Sequence, residues 1–303
     1  MYKHISRNKI KTFFLMLLFA AIFILIFYAV GNMAGEEYAS LIIFIGIVFS
    51  ISATFYAYYN GDKLVLKMAN AKPADPFRDK YIIDVVEGLA AANRFPNPKV
   101  YIIDTEIPNA FATGRNPQNS AIGVTRGLID LLDREELEGV LAHEMSHIKN
   151  YDILYASIVA VLAGSIVMIA YSMRWIAFGT RRGSRKSSGS SSGGNGIVIL
   201  LSLLFILIAP VFAKLVQMAI SRKREYLADA SAARMLGYPL GLANALEKLD
   251  SYNSPKSAKK IKGLDNEAIS GLFIINPLKS SSVQNLFSTH PPLEKRISIL
   301  RNM

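Results

Sequence analysis

Two histidines and a glutamate stand close together near the middle of the chain, in the segment His143-Glu144-Met145-Ser146-His147. Residues four apart share one face of a helix, so both imidazoles can bind a single divalent ion. Glu144 is rotated about 100° from His143 around the helix axis and can reach a water molecule beside that ion. This spacing predicts a catalytic zinc site in which His143 and His147 are metal ligands and Glu144 is the general base.

A third ligand is needed, because a catalytic zinc ion takes three protein ligands and keeps one position open. The chain has no cysteine and four histidines, and His4 lies beyond an apolar run, so the remaining candidates are a carboxylate or His290. Glu225 and Asp229 are four residues apart in a helical pattern, so Glu225 can bind the ion while Asp229 orients a ligand histidine. A pair of surface acids beside the basic residues 222–224 explains the same spacing equally well.

The local sequence predicts the elements that carry these side chains. Asp133 and Glu136 form a capping box, which predicts a helix from there to about Asn150. Asp75-Pro76 predicts the start of an earlier helix, because proline suits the first helical position. Between the two helices, short runs rich in β-forming residues predict a small sheet, with strands at 100–103, 110–113 and 121–125.

Apolar runs in the chain approach the length of about 20 residues that crosses a bilayer. There are four, at residues 13–30, 41–59, 153–173 and 197–213, in a chain that is 51% hydrophobic and 19% charged. The connection 31–40 carries Glu36 and Glu37 but no basic residue, so the positive-inside rule places the amino terminus in the cytoplasm. The first two runs are therefore expected to form a membrane hairpin within residues 1–59.

The second pair of runs forms a second apolar hairpin, 153–213, that is harder to orient. Its connecting loop, residues 174–196, is rich in glycine and serine and contains five basic residues. If both runs cross completely, this loop lies outside, against the rule that orients the first pair. Either the translocated loop tolerates its charge or the hairpin does not cross completely, and the sequence leaves both possibilities open. In either case the polar blocks 60–152 and 214–303 return to the same side of the membrane.

Four sequence motifs are spread over almost the whole chain: HEMSH from His143, SRKREYLADA from Ser221, PNAFATG from Pro108 and STHPPLEKRI from Ser288. Together they resemble those of the HtpX family of membrane zinc metalloproteases, which are related to the CAAX-prenyl endopeptidases. The resemblance implies an α-helical integral membrane protein with a zincin-like α+β metalloprotease domain, made of residues 60–152 and 214–303. It also implies that Glu225 is the third zinc ligand and Asp229 its partner on the same helix.

Further residues are expected at the active site. The segment that resembles the family's substrate-binding edge strand, to which an extended peptide adds by main-chain hydrogen bonds, is Asn109, Ala110, Phe111, Ala112 and Thr113. Asn109 either contacts the peptide backbone or has a role in a turn. His290 is either a second electrophile that stabilises the oxyanion or a structural histidine at a helix start. Arg296 either pairs with an acidic side chain near the site or has a structural role.

The expected function is zinc-dependent endoproteolysis of membrane or misfolded proteins at the cytoplasmic face of the cell membrane. The resemblance implies a role in membrane-protein quality control under stress. The expected cofactor is one zinc ion, and the expected partners are protein substrates and the lipid bilayer, because a net charge of +11 on so apolar a chain suits anionic lipid better than nucleic acid. An inert membrane scaffold that retains the metal motif is the competing class. A transporter is disfavoured because the apolar runs contain no charged residue.

Overall fold

The computed structural model describes residues 2–161, 222–252, 274 and 291–303. In this part of the chain the protein is mostly helical, with one small sheet. The helices are α1 (Tyr2–Ala34), α2 (Glu36–Met68), α3 (Lys80–Ala92), α4 (Arg126–Leu131), α5 (Arg134–Lys149), α6 (Asp152–Val161, as far as it is described), α7 (Arg222–Leu236), α8 (Leu240–Tyr252) and α9 (Leu293–Arg301). The strands are β1 (Lys72–Pro73), β2 (Lys99–Ile103), β3 (Ala110–Asn116) and β4 (Asn119–Thr125).

The first two helices form a hairpin around Gly35, whose positive φ of 101° suits a residue without a side chain. Phe27 of α1 packs directly onto Gly46 of α2, which leaves no room for a side chain there. Within the described residues, two helical segments are long and apolar enough to cross a membrane, Asn8–Tyr28 with mean hydropathy 2.7 and Glu36–Met68 with 2.1. The loop 174–196, the fourth apolar run and most of the third lie outside the described residues.

The sheet is mixed and has the strand order β1-β2-β4-β3. Strands β2 and β4 are parallel, whereas β1 pairs with β2 and β3 pairs with β4 in antiparallel fashion. The prediction of a mainly helical protein with a small sheet is confirmed, and each predicted strand is present with slightly wider bounds. In this order β3 lies at one side of the sheet, where it packs against α5.

Helix α3 begins at Lys80, so the predicted start at Asp75-Pro76 is wrong. The Asp75 carboxylate instead accepts hydrogen bonds of 2.8 Å from the backbone N–H groups of Phe77 and Arg78. These bonds close a separate turn over Pro76, as short acidic side chains commonly do. The helical spacing of the apolar residues that follow is present as predicted, but it starts one turn later.

Helix α5 begins at the predicted capping box and lies at the centre of the core. The Asp133 side chain accepts from the Glu136 backbone N–H at 3.1 Å, and the Glu136 side chain accepts from the Asp133 N–H at 2.9 Å. The helix packs against β3 on one side and against α7 and α8 on the other. Its fully buried apolar side chains are Leu137, Val140, Leu141, Ala142, Met145 and Ile148. This packing fixes the rotation of α5 about its axis. It therefore also fixes the directions of the side chains of His143, Glu144 and His147.

Helices α5 and α8 approach closely at Gly139, because a side chain there would meet the backbone of Gly241 and Leu242. Gly241 in turn faces the backbone of Glu135. Small residues on both helices therefore set the distance between them. In contrast, Gly88 of α3 is exposed and has open space around its Cα.

We expect Gly139→Ala to destabilise the fold by about 1–3 kcal/mol, since the added methyl group overpacks a backbone contact. The matched variant Gly88→Ala should be neutral or stabilising by up to about 1 kcal/mol, because alanine favours a helix and nothing is near. Denaturant unfolding of the detergent-solubilised chain measures both. Equal effects of the two substitutions would contradict the close approach of α5 and α8.

Candidate metal centre

Five of the polar side chains expected at the active site lie together between α5 and α7. Helix α5 contributes His143, Glu144 and His147, and α7 contributes Glu225 and Asp229. Four of them are buried, and the fifth, His147, has 16% of its side chain exposed. The alternative of a surface acidic pair at positions 225 and 229 is wrong, because both carboxylates face the interior.

The two imidazoles and one carboxylate converge on a common point. Nε2 of His143 and Nε2 of His147 are 3.2 Å apart. The Glu225 carboxylate lies beside both, with Oε2 at 3.6 Å from His143 Nε2 and Oε1 at 3.7 Å from His147 Nε2. One ligand atom from each residue lies within 4.8 Å of the others, so the three can hold one metal ion.

Each imidazole is oriented by a second carboxylate on its far side. His143 Nδ1 is 2.9 Å from Asp229 Oδ1, and His147 Nδ1 is 3.2 Å from Asp152 Oδ2. Each carboxylate accepts a hydrogen bond from the Nδ1–H group, so the proton stays on Nδ1 and the lone pair of each ring lies on Nε2. Two lone pairs facing each other at 3.2 Å need a positive charge between them. The donor set thus fits a metal ion of the kind that imidazole and carboxylate ligands bind.

The same carboxylates affect the protonation of the site. Burial lowers the pKa of His143, but the hydrogen bonds with Asp229 and Glu225 outweigh burial and raise that pKa to about 9. Burial also lowers the pKa of His147, and here Asp152 and Glu225 reverse the effect, so the net shift is upward. The pocket therefore favours a positive charge between the rings, and a bound metal ion competes with protons for it.

Arg296 of α9 completes the buried network. Its Nε donates to Asp229 Oδ2 at 2.8 Å and its Nη2 donates to Asp229 Oδ1 at 2.7 Å, a bidentate pair. Burial raises the pKa of Asp229, but Arg296 and His143 outweigh burial, and the net shift is downward. Of the two roles predicted for Arg296, pairing with an acid near the site is therefore the observed one. It keeps Asp229 charged and aligned with His143.

Glu144 lies beside the ligands but points to the sheet. Its carboxylate accepts a hydrogen bond from the backbone N–H of Ala112 in β3. Burial raises its pKa, and the nearby imidazoles and the Ala112 N–H reduce this rise without cancelling it. A buried carboxylate with a raised pKa next to a metal site can accept a proton from water, which is the property of a general base.

Four of the five residues of the predicted substrate-binding segment, Ala110 to Thr113, begin β3, and several outward-facing groups of this strand have partners. The Ala110 carbonyl accepts from the Ile274 backbone N–H at 3.1 Å, and the Gly114 N–H donates to Ser157 Oγ at 3.3 Å. The Ala112 N–H bonds with the Glu144 carboxylate. An incoming peptide that adds to this edge has to replace some of these bonds.

Two predicted residues stand apart from this cluster. Asn109 is buried in the turn before β3, where its backbone N–H donates to Thr125 Oγ1 at 2.8 Å and its side chain faces the Ala110 N–H at 3.1 Å. These contacts favour the turn role. His290 lies outside the described residues. Asp152 was not predicted, although an acidic residue directly after the HExxH helix is a usable signal for a partner of the second histidine.

Comparisons with known proteins place the chain among proteases. The model of peptidase family M48 matches residues 76–303. A protease HtpX homologue of Dictyoglomus turgidum is 41% identical over 304 residues, covering 100% of this chain and 94% of the relative. One of Pelotomaculum thermopropionicum is 45% identical over 296 residues, covering 98% and 99%. Among solved structures, the crystal structure of S. mikatae Ste24p shares the fold, with a TM-score of 0.51, 20% identity and coverage of 99% of this chain and 67% of the other.

Fold, donor set and relatives define a metalloendopeptidase of the HExxH type. The chain belongs to peptidase family M48, and its resemblance to HtpX proteases is confirmed. The relatives support a membrane metalloprotease, so the inert-scaffold alternative is not favoured.

Proposed function

We propose that this chain is a zinc-dependent endopeptidase of the cell membrane that cleaves membrane-embedded or misfolded proteins at the cytoplasmic face, as part of membrane-protein quality control under stress. One observation carries the proposal. The Nε2 atoms of His143 and His147 face each other at 3.2 Å. A carboxylate orients each of the two rings, and Glu225 lies beside them.

Zinc is the metal that this arrangement suits best. Imidazole nitrogens bind zinc at about 2.0–2.1 Å, so two of them on a tetrahedral ion are about 3.3 Å apart. The two Nε2 atoms are 3.2 Å apart in the structure, which is close to this value. Two imidazoles and one carboxylate are also a known ligand set of catalytic zinc, and they leave a position open for water or substrate.

The residues divide the work of peptide hydrolysis. His143, His147 and Glu225 would hold the ion, and Asp229 and Asp152 keep the two rings aligned. A bound zinc ion would supply Lewis acidity, which polarises the scissile carbonyl and lowers the pKa of water so that it can lose a proton and attack at neutral pH. Glu144 accepts a proton from the attacking water and passes it to the leaving amine nitrogen. No covalent intermediate with the protein is needed.

Charge and contacts support a site at the cytoplasmic membrane face. The segment before the first apolar run is basic, with Lys3, Arg7, Lys9 and Lys11, whereas the charged residues in 31–40 are both acidic. By the positive-inside rule the start of α1 is cytoplasmic. The start of α1 also contacts the turn after α5, one turn from His147, which supports a metal centre close to the membrane surface on that side.

Zinc dependence is tested by removing and restoring the metal. The detergent-purified full chain is stripped with a chelator, and hydrolysis of casein is followed after addition of zinc or magnesium. We expect activity to be lost on stripping and restored by stoichiometric zinc but not by magnesium, because magnesium prefers oxygen ligands. Full activity of a chain shown to be metal-free would refute the proposal.

The predicted orientation is tested by labelling of introduced cysteines. Because the chain contains no cysteine of its own, any label on it marks the introduced residue. A membrane-impermeant maleimide applied to intact cells is expected to label Glu37→Cys in the connection between α1 and α2. It should reach Phe77→Cys, at a turn where the native side chain is 91% exposed, only after the cells are opened. The reverse pattern would place the metal centre on the outer side.

A further inference from the structure

Through Asn8, helix α1 contacts the carboxylate that orients His147. The Asn8 side chain is buried, with 6% of its surface exposed, near the start of the first apolar helix. Its Nδ2 donates to the backbone carbonyl of Asn150 at 3.2 Å and to Asp152 Oδ1 at 2.7 Å. A side-chain amide has two N–H donors, so both are used. More than 140 residues of sequence separate the partners, so the contact is tertiary.

The segment that Asn8 contacts is a strained turn. Tyr151 has a φ of 58°, in the left-handed region that bulky residues rarely adopt. Its N–H still bonds to the Ile148 carbonyl at 3.1 Å, so the chain reverses at once after α5. Lys9, next to Asn8, lies over the Tyr151 ring with Nζ at 4.6 Å from the centroid. Two neighbouring residues of α1 thus contact three consecutive residues of this turn, Asn150, Tyr151 and Asp152.

The turn brings Asp152 back to the metal ligand that precedes it. With Oδ1 bonded to Asn8, the other oxygen of Asp152, Oδ2, faces His147 Nδ1 at 3.2 Å. Arg224 of α7 lies at 3.8 Å from Oδ1, so Asp152 is held from two further helices. A carboxylate pivots unless both oxygens are engaged, and the 2.7 Å bond from Asn8 is much shorter than the 3.8 Å ion pair with Arg224, so Asn8 is the main restraint on the direction of Oδ2.

We propose that Asn8 is a positioning residue of the metal centre, which holds the Asp152 carboxylate so that His147 presents Nε2 to the ion. The proposal rests on the proposed function, because it assumes that His147 binds zinc. It gives the first apolar helix a second task besides anchoring the chain. The site is incomplete without this helix, although Asn8 acts on the ligand His147 only through Asp152.

The test measures zinc affinity as well as activity. Asn8→Leu keeps the volume but removes both donors. Thr12→Val is the matched control, since Thr12 is also buried on α1 and its hydroxyl bonds only one turn back, to the Asn8 carbonyl at 2.9 Å. Zinc affinity is determined on the full chain in detergent by competition with a chromophoric chelator, together with kcat and KM for casein. Losing the outer partner of a ligand usually costs about 10–100-fold in metal affinity; because Asp152 itself remains, we expect Asn8→Leu to weaken zinc binding by about 10-fold, the lower end of this range, and Thr12→Val to match the parent.

A double-mutant cycle separates positioning from general damage. In an Asp152→Asn background, Asn8→Leu should weaken zinc binding by no more than about 2-fold, because the carboxylate it positions is already gone. If Asn8→Leu does not fold, Asn8→Ser replaces it, since serine is too short to reach both acceptors. Zinc affinity equal to that of the parent in a folded Asn8 variant overturns the proposal. A parent chain that binds no zinc refutes the proposed function instead, so the two failures are distinguishable.

Discussion

Glu144→Gln is expected to retain zinc and to lose hydrolysis of casein by about 10²–10⁴-fold, the range typical of a missing general base. The amide keeps the size of the carboxylate and can still face the Ala112 N–H with its oxygen, so the fold should be preserved. It cannot accept a proton from water. Because Glu144 is not among the three residues that can hold the ion, metal content should stay at the parent level.

The control for this variant lies on the same helix. Glu138→Gln removes a carboxylate that pairs with Arg134 at 2.9 Å on the partly exposed face of α5, and it should leave activity unchanged. Both variants are purified identically, so a contaminating protease would appear equally in each. If Glu144→Gln cleaves casein as fast as the parent, Glu144 is not the base and the assigned mechanism is wrong.

Glu225→Gln is expected to weaken zinc binding by more than about 100-fold and to abolish activity at limiting zinc. Loss of an outer partner alone costs about 10–100-fold, and a direct ligand should cost more. The oxygens of Glu225 lie 3.6 and 3.7 Å from the two Nε2 atoms, so a neutral amide there removes the negative charge that faces the ion. Arg296 Nη1, 3.8 Å from Glu225 Oε2, would then lack one of its opposite charges.

Metal analysis and competition with a chromophoric chelator measure this effect. Lys223→Gln, on an exposed position of the same helix two residues away, serves as the control and should bind zinc like the parent. Unchanged zinc occupancy in Glu225→Gln would remove Glu225 from the ligand set. It would leave the two histidines as a site that needs another third ligand.

Much of the site follows from local sequence because helix geometry is local. The i and i+4 spacing puts His143 and His147 on one face, and the capping box of α5 fixes where that helix begins. Asp229 was likewise predicted to orient a histidine, and the structure brings it to His143. These inferences need only the period of a helix and the chemistry of the side chains.

The remainder depends on contacts between distant segments, which no local pattern encodes. The bonds from Asn8 to the turn after α5 require α1 to fold back against α6, and the sequence around Asn8 does not indicate which distant segment this asparagine contacts. The start of α3 was misplaced for a smaller reason, since Asp75 closes its own turn instead of beginning the helix. The partners of the β3 edge, Ile274 and Ser157, come from parts of the chain far away in sequence.

If a peptide adds to the outer side of β3, as the sequence predicts, its entry is an exchange of hydrogen bonds instead of a simple addition. Main-chain bonds that such a peptide forms with the Ala110 carbonyl or with the N–H groups of Ala112 and Gly114 replace bonds that the protein already has, so the net gain per bond is small. Short peptides and tightly folded loops would then compete poorly for the strand edge. A long unfolded stretch of polypeptide could instead displace several of the present hydrogen-bond partners at once. Such a site would select substrates by their lack of folded structure and not by particular side chains. The enzyme would then have little activity on folded proteins and more on unfolded ones.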